Sequence, residues 1–272
     1  MAEVELAADC AQCFGLCCVV PAFAASADFA IDKPAATPCP NLATDFRCGI
    51  HTRLRERGFA GCTAYDCFGA GQRLSQVTFG GVDWRSSPAT AATMYAAFPV
   101  VRELHEFRYH LAEARRHLRA GGDREVEVSL ADEVDRLDGE VEALASGDGA
   151  ALAAVDLAAV GPRIGDVLGR VSRALRSVDT GPDLGRRDLA GSDLRSTDLR
   201  AASLRGALLL GADLRGCDLS RTDLLGADLR GARLEGADLS RSLFLTQPQV
   251  GAARGDCATR LAAGLNRPAH WA

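Results

Sequence analysis

The sequence predicts a chain of mixed fold: a small cysteine-rich head that binds metal, an α-helical segment, and a C-terminal solenoid of about three coils. Three observations predict it. Eight of the ten cysteines are Cys10, Cys13, Cys17, Cys18, Cys39, Cys48, Cys62 and Cys67. Three apolar stripes with helical spacing follow. Then a leucine falls on every fifth residue from Leu184 to Leu239, and Phe244 takes the next slot. The expected boundaries are 1–87 for the head, 88–178 for the helices, 179–245 for the solenoid and 246–272 for a cap.

The fivefold period is the strongest of these signals. A helix repeats every ~3.6 residues and a strand every ~2, so a sustained period of five fits neither. Such self-similarity marks a solenoid, whose units bury their apolar sides only against their neighbours. Two residues before the leucine the side chain is nearly always small, as at Ser192, Ala202, Ala212, Cys217, Thr222 and Ala232. Aspartate mostly precedes the leucine and arginine often follows it. One large and one small apolar position therefore face inward, and the charges face water. Glycine recurs two residues after the leucine, where it eases a tight corner.

The run ADLRGCDLSRTDLLGADLRGARLEGADLS resembles the pentapeptide-repeat family, whose consensus is A-(D/N)-L-x-x. The resemblance implies a right-handed quadrilateral β-helix with four pentapeptides per coil. On that geometry Leu184, Leu204 and Leu224 stack, closed by Phe244, and three coils rise ~15 Å at the usual inter-strand spacing. Each buried leucine contributes roughly 2 kcal/mol before ordering entropy is subtracted.

A solenoid end needs a cover. In the tail, Thr246 is placed to N-cap a short helix with Pro248 in its first turn. Val250, Leu261, Leu265 and Trp271 supply apolar area for it. Cys217 and Cys257 are expected to be buried thiols rather than ligands.

In the head, Cys10, Cys13, Cys17 and Cys18 form a Cys-x2-Cys-x3-Cys-Cys run. A Cys-x2-Cys turn lets two thiolates converge on one ion at ~2.3 Å, and Gly15 lets the backbone bend back. Eight thiols suffice for two four-thiolate sites, or for one site plus structural cysteines. Reduced buried thiols and disulfides are the other readings. His51, three residues after Cys48, is either a nitrogen ligand or a surface histidine. CAQCFGLCC, CPNLATDFRCGIH and CTAYDC resemble the CxxCxxCC family of zinc- or iron-chelating domains over roughly residues 8 to 75. The chain departs from that pattern in the three residues between Cys13 and Cys17, and in HTRLRERG where the family has an Arg-Pro pair. Zinc and an iron–sulfur cluster both suit such thiolates.

Between head and solenoid, Ser87-Pro88 starts a helix whose stripe is Val100, Leu104, Phe107, Leu111, Ala114 and Leu118, ending at Gly121-Gly122. A second stripe is Leu130, Val134, Leu137, Val141 and Leu144, with Ser129 as N-cap. A third is Val160, Ile164, Val167, Val171 and Leu175, broken near Gly161-Pro162. Each is amphipathic and should pack on a partner helix. His105, His110 and His117 are read as solvated. SGDGAALAAVD reads as a linker or helix start, and VDTGPD as a break before the solenoid.

The net charge of −5 gives no electrostatic case for direct nucleic-acid binding. Lys33 is the single lysine. No apolar run is long enough for a transmembrane helix, and MAEVELAADC lacks the apolar core of a secretory signal, so the expected location is cytoplasmic. No nucleophile elbow, phosphate loop, metalloprotease or kinase signature is present. The expectation is a non-catalytic scaffold with an unidentified protein partner and a structural Zn2+ or iron–sulfur site. Metal handling or redox sensing through the N-terminal cysteines is the alternative. A DNA mimic acting on a type II topoisomerase is disfavoured, because ten acidic residues and ten arginines cancel between 183 and 245.

Overall fold

From Asp183 onward the backbone returns to itself every twenty residues: Asp183 bridges Ser203 in parallel, Ser203 bridges Asp223, and Asp223 bridges Leu243. The structure is a computed structural model that describes residues 6–121, 125–177 and 181–271. It divides into two compact units, one of Met1–Cys62, Asp66–Arg119 and Val128–Leu168, the other of Thr63–Tyr65, Ala120–Glu127 and Gly169–Ala272.

In the second unit each rung of the coil is one residue long, so among the described residues no continuous strand forms. The rungs are nonetheless a hydrogen-bonded ladder. Leu204 N–H donates to Asp223 O at 2.9 Å, and Asp223 N–H donates to Ala202 O at 2.9 Å. A period of five with a turn after every rung leaves no room for a longer strand. The interior is the expected one: Leu204, Leu214, Leu224 and Leu234 are all 0% exposed. Ala202, Ala207, Ala212, Cys217, Thr222 and Ala232 fill the small inward slots. Leu184 and Leu189, on the first coil, are only partly buried. Two polar residues in small slots satisfy themselves on the coil below: Thr222 Oγ1 donates to Leu199 O at 2.6 Å, and the Cys217 thiol to Leu194 O at 3.5 Å.

The corner is left-handed after most of the leucines. Gly191, Gly206, Gly211, Gly216, Gly226, Gly231 and Gly236 all have positive φ there, as do Arg186, Ala201 and Arg221. The aspartates do more than face water. Their Oδ1 atoms accept the backbone N–H two residues on, as Asp213 does from Arg215 at 3.2 Å and Asp218 from Ser220 at 2.9 Å. This Asx turn explains why the consensus wants Asp or Asn at that slot. Asp223 departs from the expected exposure, being 1% exposed. Leu225 follows its leucine where other units carry an arginine, and Asp223 turns instead to Arg205 of the preceding coil.

The end of the solenoid is capped as predicted, with one addition. Helix α8 (Gln247–Ala252) opens on a capping box between Thr246 and Gln249, with Pro248 in its first turn. Gln249 Nε2 also donates to Leu224 O and Ala227 O, at 2.8 and 2.9 Å. Trp271 covers the apolar end, its Nε1 donating to Ala253 O at 3.1 Å. The addition is that the cap prolongs the ladder, through bridges from Arg233 to Arg254 and from Asp238 to Arg260. Cys257 is exposed rather than buried, because the loop after Asp256 turns outward where Thr259 takes the inward slot.

In the first unit, α1 (Leu16–Val19), α2 (Ala60–Thr63) and α3 (Ala70–Gln72) are short, and α3 runs on into a π-helical turn, Arg73–Thr78. The long helices are α4 (Pro88–Gly121), α5 (Glu125–Ala145) and α7 (Leu157–Arg176), with α6 (Gly149–Ala153) between the last two; α7 from Gly169 onward belongs to the second unit. Ser87 Oγ accepts from Thr90 N–H, and Asp148 caps α6. The α4 and α5 stripes meet as an antiparallel hairpin. Arg108 Nε lies 3.0 Å from Asp138 Oδ1, Arg115 Nη1 lies 3.0 Å from Asp135 Oδ1, and Arg108 also pairs with Glu142.

Several details differ from the sequence reading. Helix α5 is already formed at Glu125, so Ser129 is not its N-cap. Leu144 is exposed and Ala145 takes its buried place. Helix α7 runs through Gly161-Pro162 without a break, although Pro162, the sixth residue, forfeits one helical hydrogen bond. His105 and His110 are buried rather than solvated, because α4 is covered on more than its apolar stripe. His105 Nδ1 lies 2.7 Å from Phe68 O, and His117 faces Glu113 at 3.4 Å. Residues 122–124 and 178–180, within the expected Gly121-Gly122 and VDTGPD breaks, lie outside the described residues.

Two stability outcomes follow. Leu224→Ala should cost about 3 kcal/mol in denaturant unfolding, whereas Leu208→Ser, at a site 47% exposed, should change it little. A Cβ on Gly216 meets nothing within 4 Å, but φ there is +69°. Gly216→Ala should therefore cost ~1 kcal/mol from backbone conformation alone. Equal stability of this variant and the wild type would remove the left-handed corner as a constraint.

Candidate metal centre

The cysteines are carried by tight turns rather than by regular elements. Asp9 Oδ1 accepts from Ala11 N–H at 2.8 Å and opens a 3-10 turn, Cys10–Gln12. Gly15, at φ +68°, reverses the chain into α1, which carries Cys17 and Cys18. Cys39 N–H donates to Cys18 O at 2.9 Å, and Leu42 bridges Cys48. Cys62 lies on α2 and Cys67 immediately before α3, with Ala70 N–H donating to Cys67 O at 2.9 Å. Side chains of the α3 segment hold the first turn down. Ser75 Oγ accepts from Phe14 N–H at 3.0 Å, and Gln76 Nε2 donates to Gln12 O at 2.8 Å. Arg47 donates to the carbonyls of Cys10 and Ala11. Leu16, Ala70 and Leu74 share one core with Met94, Phe98 and Val101 of α4, with Cys13, Cys17 and Cys67 packed against it.

This folding brings two pairs of thiols close. The sulfurs of Cys17 and Cys18 are 4.0 Å apart. A Cβ on Gly71 would lie 2.5 Å from Cys13 Sγ and 3.8 Å from Cys67 Sγ, so those two sulfurs close over the same glycine. Cys17 is near enough to bear electrostatically on Cys10, Cys13, Cys48, Cys62 and Cys67. The Cys18 thiol, then burial, pushes the Cys17 thiol well up. Burial first, then neighbouring thiols, raises Cys62 to about 11; burial raises Cys67 to about 12. No pair of cysteines is joined by a disulfide in this structure.

Among the described residues no three His, Cys, Asp or Glu side chains stand in coordinating geometry. The donor set is rich in sulfur and suits a thiophilic ion: burial chiefly raises Cys10, Cys13, Cys48, Cys62 and Cys67, and the Cys18 thiol raises Cys17, a cost that a bound cation would offset. His51 is exposed and does not join them. Sequence reading gave Lys33 no role. Its ammonium donates to Val19 O, Pro34 O and Thr37 O at 2.9, 3.1 and 2.9 Å, in a residue only 3% exposed. Lys33 thereby closes the loop between Cys18 and Cys39. A single lysine in an arginine-rich chain was the available signal, since only an ammonium can send three donors to three converging carbonyls.

The solenoid carboxylates show the opposite electrostatics. Hydrogen bonds from Arg195 and Arg200 hold Asp193 and Asp198 down at about 2. Carboxylates kept ionised in this way are unsuited to general-acid work.

Residues 183–215 and 207–244 match the family model for pentapeptide repeats, in 8 copies. That segment carries pentapeptide repeats. It is 56% identical over 110 residues to "Uncharacterized protein YybG" of Bacillus subtilis (strain 168), an alignment covering 40% of this chain and 39% of that protein. The chain therefore spans about two fifths of that relative's length. Among solved structures it is similar to the pentapeptide repeat protein Rfr23 of the cyanobacterium Cyanothece 51142, at 31% identity and a TM-score of 0.26, covering 29% of this chain and 53% of that one. It is also similar to HetL of Nostoc sp. strain PCC 7120, at 31% identity and a TM-score of 0.13, covering 30% and 44%.

Lys33→Met should leave three carbonyls without their donor and cost about 2–4 kcal/mol in denaturant unfolding. An unchanged midpoint would show that burial of the ammonium cancels its hydrogen bonds.

Proposed function

We propose that the protein is a non-catalytic interaction scaffold: a right-handed, four-sided pentapeptide-repeat coil presents a rigid face to a protein partner, and the cysteine-rich segment folds around a thiolate-bound metal. The observation that carries the scaffold reading is the solenoid's chemistry. Its apolar residues are turned inward, while Asp193, Asp198, Asp213 and Asp228 are each paired with an arginine two residues on. This leaves a firm, ion-paired exterior with no nucleophile beside a raised carboxylate. Leu208 and Leu210, each 47% exposed, interrupt the charged pattern and supply apolar contact area. The described residues contain no helix long and apolar enough to cross a membrane.

The metal part rests on the gathered thiols. Cys10, Cys13, Cys17, Cys18, Cys39, Cys48, Cys62 and Cys67 would hold Zn2+ or an iron–sulfur cluster. Such a group supplies positive charge that fixes the thiols as thiolates and cross-links the loops. The residues themselves do the rest: Gly15 and Gly71 allow the close approach, and Lys33 and Arg47 fix the loop carbonyls. The vicinal pair Cys17 and Cys18, with sulfurs 4.0 Å apart, favours a second reading, metal handling or redox sensing.

Protein purified without oxygen should contain ~1–2 metal ions per chain. Cys10→Ser with Cys13→Ser should lose metal and lower the thermal midpoint of the head. Ten titratable thiols and no metal would sink the metal reading. Loss of metal without loss of stability would favour the handling reading. In a gyrase supercoiling assay the protein should leave the enzyme's activity unchanged, and inhibition would revive the DNA mimic.

A further inference from the structure

Five arginines directly follow a solenoid leucine, and four of them have their own aspartate two residues earlier. Arg195, Arg200, Arg215 and Arg230 pair with Asp193, Asp198, Asp213 and Asp228 at 2.6–2.7 Å. The fifth, Arg205, has Ser203 in that place. Its carboxylate is Asp223 of the next coil, 3.9 Å away and buried.

Other arginines gather around Arg205 within the same unit. Helix α7 ends in Arg173 and Arg176. A Cβ on Gly169 would lie 3.6 Å from Arg173 Nη1 and 3.6 Å from Arg205 Nη1, so both guanidinium tips close over one bare backbone position. Arg186 comes from the first coil, its Cγ 3.5 Å from where a Gly206 Cβ would stand. It occupies a left-handed corner, φ +57°, that glycine takes in seven other units. Arg176 is already engaged, donating to Ser172 Oγ and Ala201 O at 3.0 Å. Burial, with repulsion from Arg173, Arg186 and Arg176, lowers the pKa of Arg205 against the attraction of Asp223. Neither Arg173 nor Arg186 forms an ion pair among the described residues. The α7 C-terminus offers only partial negative charge.

We propose that Arg173, Arg186 and Arg205 form a binding site for the phosphate group of a small phosphorylated molecule. Three guanidiniums, two exposed and one half-buried, with a single buried carboxylate behind them, match a compact dianion. Forked N–H donors suit its oxygens better than they suit a carboxylate alone. The cluster owes nothing to the thiols, so the site stands or falls apart from the metal reading.

The test is titration of the full chain with inorganic phosphate at low ionic strength, by calorimetry and 31P line broadening, with acetate as the carboxylate comparison. Phosphate should bind and acetate should bind about tenfold more weakly or not at all. Arg173→Gln and Arg186→Gly should each weaken phosphate binding about tenfold. Arg186→Gly is the telling variant: it puts glycine in the left-handed corner, so its thermal midpoint should hold or rise while affinity falls. Arg200→Gln, which removes an arginine already paired with Asp198, should leave binding unchanged. No phosphate binding, or wild-type affinity in both Arg173→Gln and Arg186→Gly, overturns the site. Tighter binding of a single-stranded oligonucleotide through the same arginines overturns the small-molecule assignment and makes the surface a nucleic-acid contact.

Discussion

The stacking of one leucine over another, twenty residues apart, is the constraint from which the rest of the solenoid follows. Each coil buries its leucines only if the next coil places its own in register, and the backbone rungs hold that register. Asp183, Ser203, Asp223 and Leu243 form one such column of rungs. The requirement explains the small residue two places before each leucine, because the same interior must also accommodate a second, narrower side chain. It explains the left-handed corner as well, since the chain must turn after every rung without leaving the coil. At Gly216 and its counterparts, glycine meets that demand without strain, while Arg186, Ala201 and Arg221 accept it.

The head is organised by a different balance. Packing Cys13, Cys17 and Cys67 against the core shared by Leu16, Leu74 and Phe98 makes each thiol harder to ionise. Lys33 meets the same burial with three carbonyl acceptors. The loops of the head are thus closed by polar contacts directed at backbone, not by a large apolar interior. A segment of this kind gains most from an added cross-link, which is why the thiols and a bound cation form a coherent pair of expectations.

Much of the solenoid was legible from spacing alone, because a one-dimensional repeat writes its contacts into the sequence at a fixed interval. The inward leucines, the small slots, the glycine corners and the Thr246 cap all come from local pattern. The errors lie where a contact is made by residues far apart. His105 and His110 lie off the apolar stripe of α4, yet neighbouring chain buries them. Asp223 looked like every other repeat aspartate until the absence of an arginine at Leu225 met the absence of an aspartate at Ser203 one coil earlier. In the head, cysteine spacing named the candidate donors, but not which sulfurs approach one another. The closeness of Cys13 to Cys67 depends on Gly71, which no cysteine pattern includes.

By itself the sequence determined the period, the direction each side chain takes within a pentapeptide, the helical stripes and the identity of the thiols, since these depend on neighbours within a few residues or on exact repetition. Only the tertiary structure decided that the cap prolongs the ladder, that Lys33 closes the cysteine loop, and that Arg173, Arg186 and Arg205 gather where one coil meets the end of a helix. Those arrangements join residues from separate segments, and their energies come from burial and charge in three dimensions, which no interval along the chain encodes.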